Sequence, residues 1–267
     1  MFGLFKKNRK PSASAPAAAP QVRTWQTPGG LYHNYSKMIM EAEAHTMIAG
    51  NTRSGKSTFL HSIMGDALKL YAPCRVQFVL IDPKRVELRR YKDLPHTIGY
   101  ANDEDGAMNL LYWIEQIMMD RYAEMESAPV SAETPKYDGS RICVVIDELM
   151  PLMTGARKNE FTRLSMRLLS QSGAANIWFL VGTQAPRRDV IPGTLMLYFT
   201  LVFGLSMSSA IESRCAIGIK GCEELPLHGK ALVKYGAERM TATLYPVDLC
   251  EVQELIDYWR SPAAIVA

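Results

Sequence analysis

Residues 50–57 read Gly50-Asn51-Thr52-Arg53-Ser54-Gly55-Lys56-Ser57, the full G-x-x-x-x-G-K-[ST] pattern. A short apolar run, Thr46-Met47-Ile48-Ala49, precedes it, and a helical pattern over 58–71 follows. Strand, glycine loop and helix together make this a phosphate-binding site for ATP rather than a chance turn. Glycine lets the backbone wrap the phosphates, and the exposed N–H groups form a nest for anions. The helix starting at the loop adds its positive dipole end. Lys56 is expected to reach the β- and γ-phosphates, Ser57 to ligate Mg²⁺, and Thr58 to donate to the α-phosphate.

Hydrolysis needs an acidic partner to this loop. Residues 141–148, Arg-Ile-Cys-Val-Val-Ile-Asp-Glu, supply one. Their β-branched run predicts a strand buried on both faces and ending in two carboxylates. Asp147 is expected to join Ser57 at Mg²⁺, by holding its waters, and Glu148 to orient and deprotonate the attacking water. Acids also favour helix starts, so an isolated Asp-Glu pair carries little information. Beside the phosphate loop it reads as catalytic. A third apolar run over 176–184 ends at Gln184. At the tip of a strand next to the phosphate strand, Gln184 would sense the γ-phosphate or hold the lytic water; otherwise it is an ordinary polar strand end.

The chain has 267 residues, 48% hydrophobic and 21% charged, as expected of one large soluble globular domain. No apolar run reaches membrane-spanning length, and no secretory signal is evident in the first residues. The expected location is cytoplasmic. Five scattered cysteines show no zinc-ligand spacing and read as reduced and structural. Net charge is +3, but Lys6, Lys7, Arg9, Lys10 and Arg23 place +5 in the first 23 residues, leaving −2 for the rest. The body is therefore not a strongly basic DNA-binding domain. A ring with a few basic pore loops remains compatible with nucleic acid.

Residues 1–22 form a basic Pro/Ala-rich tail, with 11–20 made only of Pro, Ala and Ser. Residues 23–260 form one domain, and 261–267 a terminal tail. Helices are expected over 58–71, 105–126, 159–172 and 249–259. Strands are expected at 75–81, 141–146, 176–184, 195–205, 230–235 and 240–246, with a loop over 127–140. Alternating strands and helices predict an α/β fold with a mainly parallel sheet covered on both faces.

Several segments, in order, resemble the FtsK/SpoIIIE DNA translocases. Ile81-Asp82-Pro83-Lys84-Arg85-Val86-Glu87-Leu88, then Tyr91 and Leu94-Pro95-His96, is similar to their "DPKRVEL … Y … LPH" segment. Val144 to Leu149 resembles "VVIDEL", and Gly182-Thr183-Gln184-Ala185-Pro186 with Asp189-Val190-Ile191 resembles "ATQRP..DVI". Ser208 to Arg214 resembles "SSKIDSR", and 229–235 resembles the "GRGDMLY" strand. The resemblance implies a RecA-like P-loop motor, a homo-oligomer assembled as a hexameric ring, that moves double-stranded DNA with ATP and Mg²⁺. It carries over Lys56, Ser57, Asp147, Glu148 and Gln184 as functional residues. It also carries over Arg214, which either faces a neighbour's nucleotide or makes a structural salt bridge. Arg85, Glu87, Arg89 and Arg90 line a subunit interface or pore, or form a solvated charged loop. Ala185 replaces the usual arginine, and Gly204-Leu205-Ser206 stands in place of "AFR". The short lead-in, the end after Trp259 and the missing anchor suggest a bare motor of a plasmid, phage or integrative element, with a relaxase or similar protein as partner. Two other readings stand beside it: an ATPase for protein secretion or triggered by a protein partner, and a nucleotide-switched assembly module.

Overall fold

The computed structural model describes residues 23–24, 33–127, 136–184, 186–244 and 247–261. Apolar runs rich in Val, Ile and Phe form the central strands: β2 (His45–Ala49), β3 (Val76–Ile81), β5 (Arg141–Ile146) and β6 (Ile177–Thr183). With β1 (Arg23–Thr24), β4 (Thr97–Ala101), β7 (Phe199–Gly204), β8 (Lys230–Tyr235) and β9 (Glu238–Thr243) they make one nine-stranded sheet. The order is β1-β9-β8-β7-β2-β6-β5-β3-β4. The pairings β7–β8 and β8–β9 are antiparallel and all others parallel.

Successive side chains in a strand point to opposite faces, and both faces of this sheet are apolar. Met47, Val79, Ile81, Val144 and Val181 pack on one side. Ile48, Phe78, Leu80, Val145 and Leu180 pack on the other. The first face is covered by α3 (Glu104–Ser127), α4 (Met150–Thr154), α5 (Lys158–Gln171), α6 (Gly193–Met196) and α7 (Ala210–Ile217). The second carries α1 (His33–Glu41), α2 (Lys56–Leu70) and α8 (Leu249–Arg260). The expected RecA-like α/β architecture, with helices on both faces, is the one found.

The structure corrects the sequence in places. The strand expected over 195–205 is split. The carbonyl of Pro192 accepts from the N–H groups of Leu195 (3.0 Å) and Met196 (3.2 Å), making the helical turn α6, and β7 begins only at Phe199. A short apolar run does not distinguish these states locally. The last strand begins earlier than expected and runs over Glu238–Thr243; 245–246 of the expected span lie outside the described residues. The elements α1, β4, α4 and α7 have no counterpart in the sequence pattern. The loop expected over 127–140 yields its first residue to α3, and 128–135 lie outside the described residues, as do 1–22, Ala185 and 262–267. No helix among the described residues is long and apolar enough to cross a membrane.

His45 opens β2, on the central strand, at the end opposite the phosphate loop. Its Nδ1 accepts the N–H of Phe179 (3.1 Å), so its Nε2 carries the hydrogen donated to the Leu169 carbonyl (2.9 Å). Protonation would set an N–H against an N–H in a site only 6% exposed. Burial accordingly lowers its pKa from 6.5 to about 4. The unfolded chain binds more protons between these values, so stability present above pH 6.5 is lost as pH falls toward 4. The contribution reaches at most about 3 kcal/mol. Urea midpoints measured from pH 7 to 4 should fall more steeply for the native chain than for His45→Leu; equal slopes would refute the assignment.

Candidate nucleotide-binding and hydrolysis site

The phosphate loop leaves the end of β2, which lies between β6 and β7. Two left-handed residues, Arg53 (φ 67°) and Gly55 (φ 90°), curl it before α2 begins at Lys56. Such alternation turns successive N–H groups toward one side. Gly50 admits no side chain, since a Cβ there would lie 2.6 Å from Ser54 Oγ and 2.7 Å from Leu205 Cβ. The loop borders a cavity of about 430 Å³, lined by Asn51, Thr52, Ser57, Thr58 and Gln184 among others.

Strand order brings the acidic pair to the same place. Only β6 separates β2 from β5. Lys56 Nζ donates to the Asp147 carbonyl at 2.9 Å and lies 3.6 Å from both Asp147 Oδ1 and Glu148 Oε2. Gly182 makes this approach possible: a Cβ there would sit 2.0 Å from the Asp147 carbonyl oxygen and 3.2 Å from Lys56 Nζ. Burial pushes the Asp147 carboxyl above the usual range, and Lys56 opposes the shift.

Glu148 is wholly buried at the mouth of β5. Its Oε1 accepts from the Gln184 N–H (3.0 Å) and the Met150 N–H (3.4 Å), and its Oε2 from Lys84 Nζ (3.2 Å). Gln184 follows β6 directly, and its Oε1 accepts from Thr52 Oγ1 at 3.1 Å. Gln184 therefore touches the phosphate loop with its side chain and the Glu148 carboxylate with its backbone N–H.

Sequence pattern does not place three further residues in this site: Lys84, Glu87 and His228. Lys84 and Glu87 belong to the segment after β3, whose charges suggest a surface loop or an interface. Its shape comes from Asp82, fully buried, whose Oδ1 and Oδ2 accept from the N–H groups of Val86 (3.3 Å) and Leu88 (3.1 Å). That turn, with Arg85 left-handed at φ 62°, sends Lys84 to Glu148 and Glu87 to the cavity beside α2, where its Oε2 lies 3.0 Å from His61 Nε2. Glu87 lines the cavity, and hydrogen bonds from His61 and Ser57, with the nearby Lys56 charge, hold its carboxyl at about 2 despite partial burial. His228 lines the same cavity from the segment before β8, and nothing in the sequence near it points there.

Arg214 lies exposed on α7 and does not line its own chain's cavity. A polar chain ties its helix to the phosphate loop. Asn51 Nδ2 donates to Ser208 Oγ (2.9 Å), the Ser208 N–H donates to Glu212 Oε2 (3.0 Å), and Ser209 caps α7 by accepting from the Glu212 N–H (3.3 Å). Glu212 accepts from the residue just before the cap rather than from the cap itself, so this is a near relative of the capping box. Ser206, where the relatives' pattern has arginine, accepts the Asn51 N–H on its carbonyl (3.0 Å) and donates its hydroxyl to the Leu225 carbonyl (3.3 Å).

The profile of the FtsK/SpoIIIE family matches residues 8–142, half of the chain, including the phosphate loop and the segment after β3. The chain belongs to the FtsK/SpoIIIE family. A DNA translocase FtsK of Caldanaerobacter subterraneus subsp. tengcongensis is 34% identical over 188 residues, covering 68% of this chain and 26% of that protein. The chain thus spans about a quarter of that relative's length. Among solved structures, EssC (ATPases 2 and 3) of Geobacillus thermodenitrificans superposes with TM-score 0.71 at 19% identity, covering 83% of this chain and 44% of that one. The pCW3 conjugation coupling protein TcpA, with ATPγS, gives TM-score 0.66 at 20% identity over 91% and 75% of the two chains. At these identities the superpositions bear on the fold. As a member of this family the chain is a P-loop ATPase.

The residues present fit ATP and Mg²⁺. Among the described residues, Ser54 Oγ on the loop and Asp147 Oδ1 beside it are buried with no hydrogen-bond partner. A buried polar atom without a partner costs about 1–3 kcal/mol, which favours a site built to receive a polar ligand. The loop from Gly50 to Thr58 would hold the phosphates, and Ser57 with Asp147 the ion. Bound Mg²⁺ supplies positive charge to the phosphate oxygens. Lys56 would add its own charge there, and Glu148 would be the acceptor for a proton from water.

Proposed function

We propose that this chain is a ring-forming motor that uses ATP to move double-stranded DNA, in the transfer or partition of plasmid, phage or integrative-element DNA. The observation that carries the reading is the family's own segment built into the hydrolysis site: Lys84 bonds Glu148 at 3.2 Å, and Glu87 lines the same cavity as Ser57. The FtsK relatives named as DNA translocases and the coupling-protein fold support it. A relaxase or another mobile-element protein is the partner such a motor would serve in the cytoplasm.

The test is ATP hydrolysis by the purified chain with and without linear double-stranded DNA at low salt, with Glu148→Gln as blank. Strong stimulation that declines steeply with added salt is expected, because phosphate contacts release counterions. Good basal turnover with no response to DNA would overturn it in favour of an ATPase driven by a protein partner.

Arg214 is proposed to complete a neighbouring subunit's site, its helix being tied to its own phosphate loop through Asn51 and Ser208. Arg214→Ala should retain ATP binding and lose turnover by about 10³-fold, the lower range for arginines supplied in trans. Mixing it with Glu148→Gln protein, which brings Arg214 but no base, should restore part of the activity. A structural salt bridge would show no such rescue.

A further inference from the structure

His228 is exposed at the mouth of the nucleotide cavity, against the start of α2. A Cβ built on Gly55, the residue before that helix, would lie 3.5 Å from His228 Nδ1. Among the described residues the ring of His228 makes no hydrogen bond, ion pair or aromatic contact. Its segment is nevertheless held on both sides. Ser206 accepts the Asn51 N–H of the phosphate loop on its carbonyl (3.0 Å) and donates its hydroxyl to the Leu225 carbonyl (3.3 Å). Beyond His228, the Gly229 carbonyl accepts the Leu244 N–H at 2.8 Å. These bonds fasten the segment to the loop and to the strand edge.

Strand order says which part of a nucleotide this ring faces. β8 runs antiparallel to β7, so its start lies at the end of β2 from which the phosphate loop leaves. In the order β8-β7-β2-β6-β5-β3, His228 comes from one side of the loop. Glu148, Gln184 and Glu87 come from the other. Hydrolysis requires the terminal phosphate beside Glu148, and a nucleotide seated that way extends its nucleoside away from the acids. Of the cavity-lining residues outside the loop and α2, His228 is the one on that side, and it is the only ring among the described residues that line the cavity. A base offers a flat face that pairs best with another planar ring.

We propose that His228 is the base-stacking residue of the nucleotide site, its imidazole packing on the face of the purine. The proposal rests on the nucleotide-site reading above. Stacking uses a face that every base has, so it adds affinity without choosing between adenine and guanine.

The experiment titrates the full chain, with MgCl₂ present, with a non-hydrolysable ATP analogue, the matching GTP analogue and inorganic tripolyphosphate. His228→Ala should weaken both nucleotide analogues by about tenfold, the effect of losing one base–aromatic stack, and leave tripolyphosphate binding unchanged. His228→Phe, which keeps a ring without its nitrogens, should restore both nucleotides to within about twofold of the native chain. An equal loss for tripolyphosphate would make His228 a phosphate ligand and overturn the proposal. A loss confined to one base, or a phenylalanine variant as weak as the alanine one, would mean a hydrogen bond instead of a stack and overturn it too. So would unchanged affinity in His228→Ala. Failure of the native chain to bind either nucleotide analogue would instead remove the nucleotide-site reading, and the proposal with it.

Discussion

Glu148→Gln should lower ATP turnover by about 10²–10⁴-fold, the usual contribution of a positioned base, while ATP affinity changes little. Glu148 has both oxygens committed to donors: two backbone N–H groups at Oε1 and Lys84 at Oε2, with Lys56 3.6 Å away. A carboxylate accepts on all sides, whereas an amide must present an NH₂ group to one of these donors. The variant therefore loses the base and also suffers one donor–donor mismatch. Relief from burying a charge works the other way, so net stability should move by less than about 2 kcal/mol. Binding should survive because the phosphate loop, Lys56 included, is untouched and Asp147 still pairs with Lys56. Single-turnover hydrolysis and equilibrium titration separate the two effects. Turnover near the native rate would move the base to another residue.

Gly182→Ala should destabilise the chain by about 3–5 kcal/mol, at the severe end for a single substitution. The added Cβ would stand 2.0 Å from the Asp147 carbonyl oxygen. That atom belongs to backbone, so no rotamer change relieves the overlap. The strands cannot part cheaply either. β5 and β6 are in continuous register to Ile146 and Val181, and the Leu149 N–H bonds the Gly182 carbonyl at 2.9 Å. The displaced carbonyl is also the one that anchors Lys56, so ATP turnover should fall with stability. Gly193→Ala is the control. Nothing lies within 4 Å of its added Cβ, and its effect should stay within about 0.5 kcal/mol. Urea midpoints for the two variants decide the matter; equal midpoints would mean that β5 and β6 do not approach so closely in solution.

Features of this chain that rest on neighbouring residues are legible in its sequence. The loop from Gly50 to Ser57 is contiguous, so its role is readable from spacing alone. The β-branched run before Asp147 announces a buried strand because such side chains suit a sheet covered on both faces. α7 stays hidden for the matching reason. It is short and inverts the usual pattern, leaving Ile211 68% exposed while Ser213 is fully buried, its hydroxyl donating to the Ile219 carbonyl (2.7 Å) and accepting the Cys222 N–H (3.1 Å). β4 is half-buried along most of its length at the sheet edge, and its pairing with β3 rather than its own sequence makes it a strand.

The phosphate-loop motif, the acidic pair at a strand tip, a glutamine ending its own apolar run and the α/β class are readable from local sequence, because each depends on residues a few positions apart. Tertiary packing alone brings Lys84 to Glu148, Glu87 and His228 to the cavity beside Ser57, and the Asp147 carbonyl against Gly182. Those contacts depend on the order β2-β6-β5-β3 across the sheet. Strand order is settled by which buried faces and crossovers pack together over the whole domain, and no local periodicity carries that information.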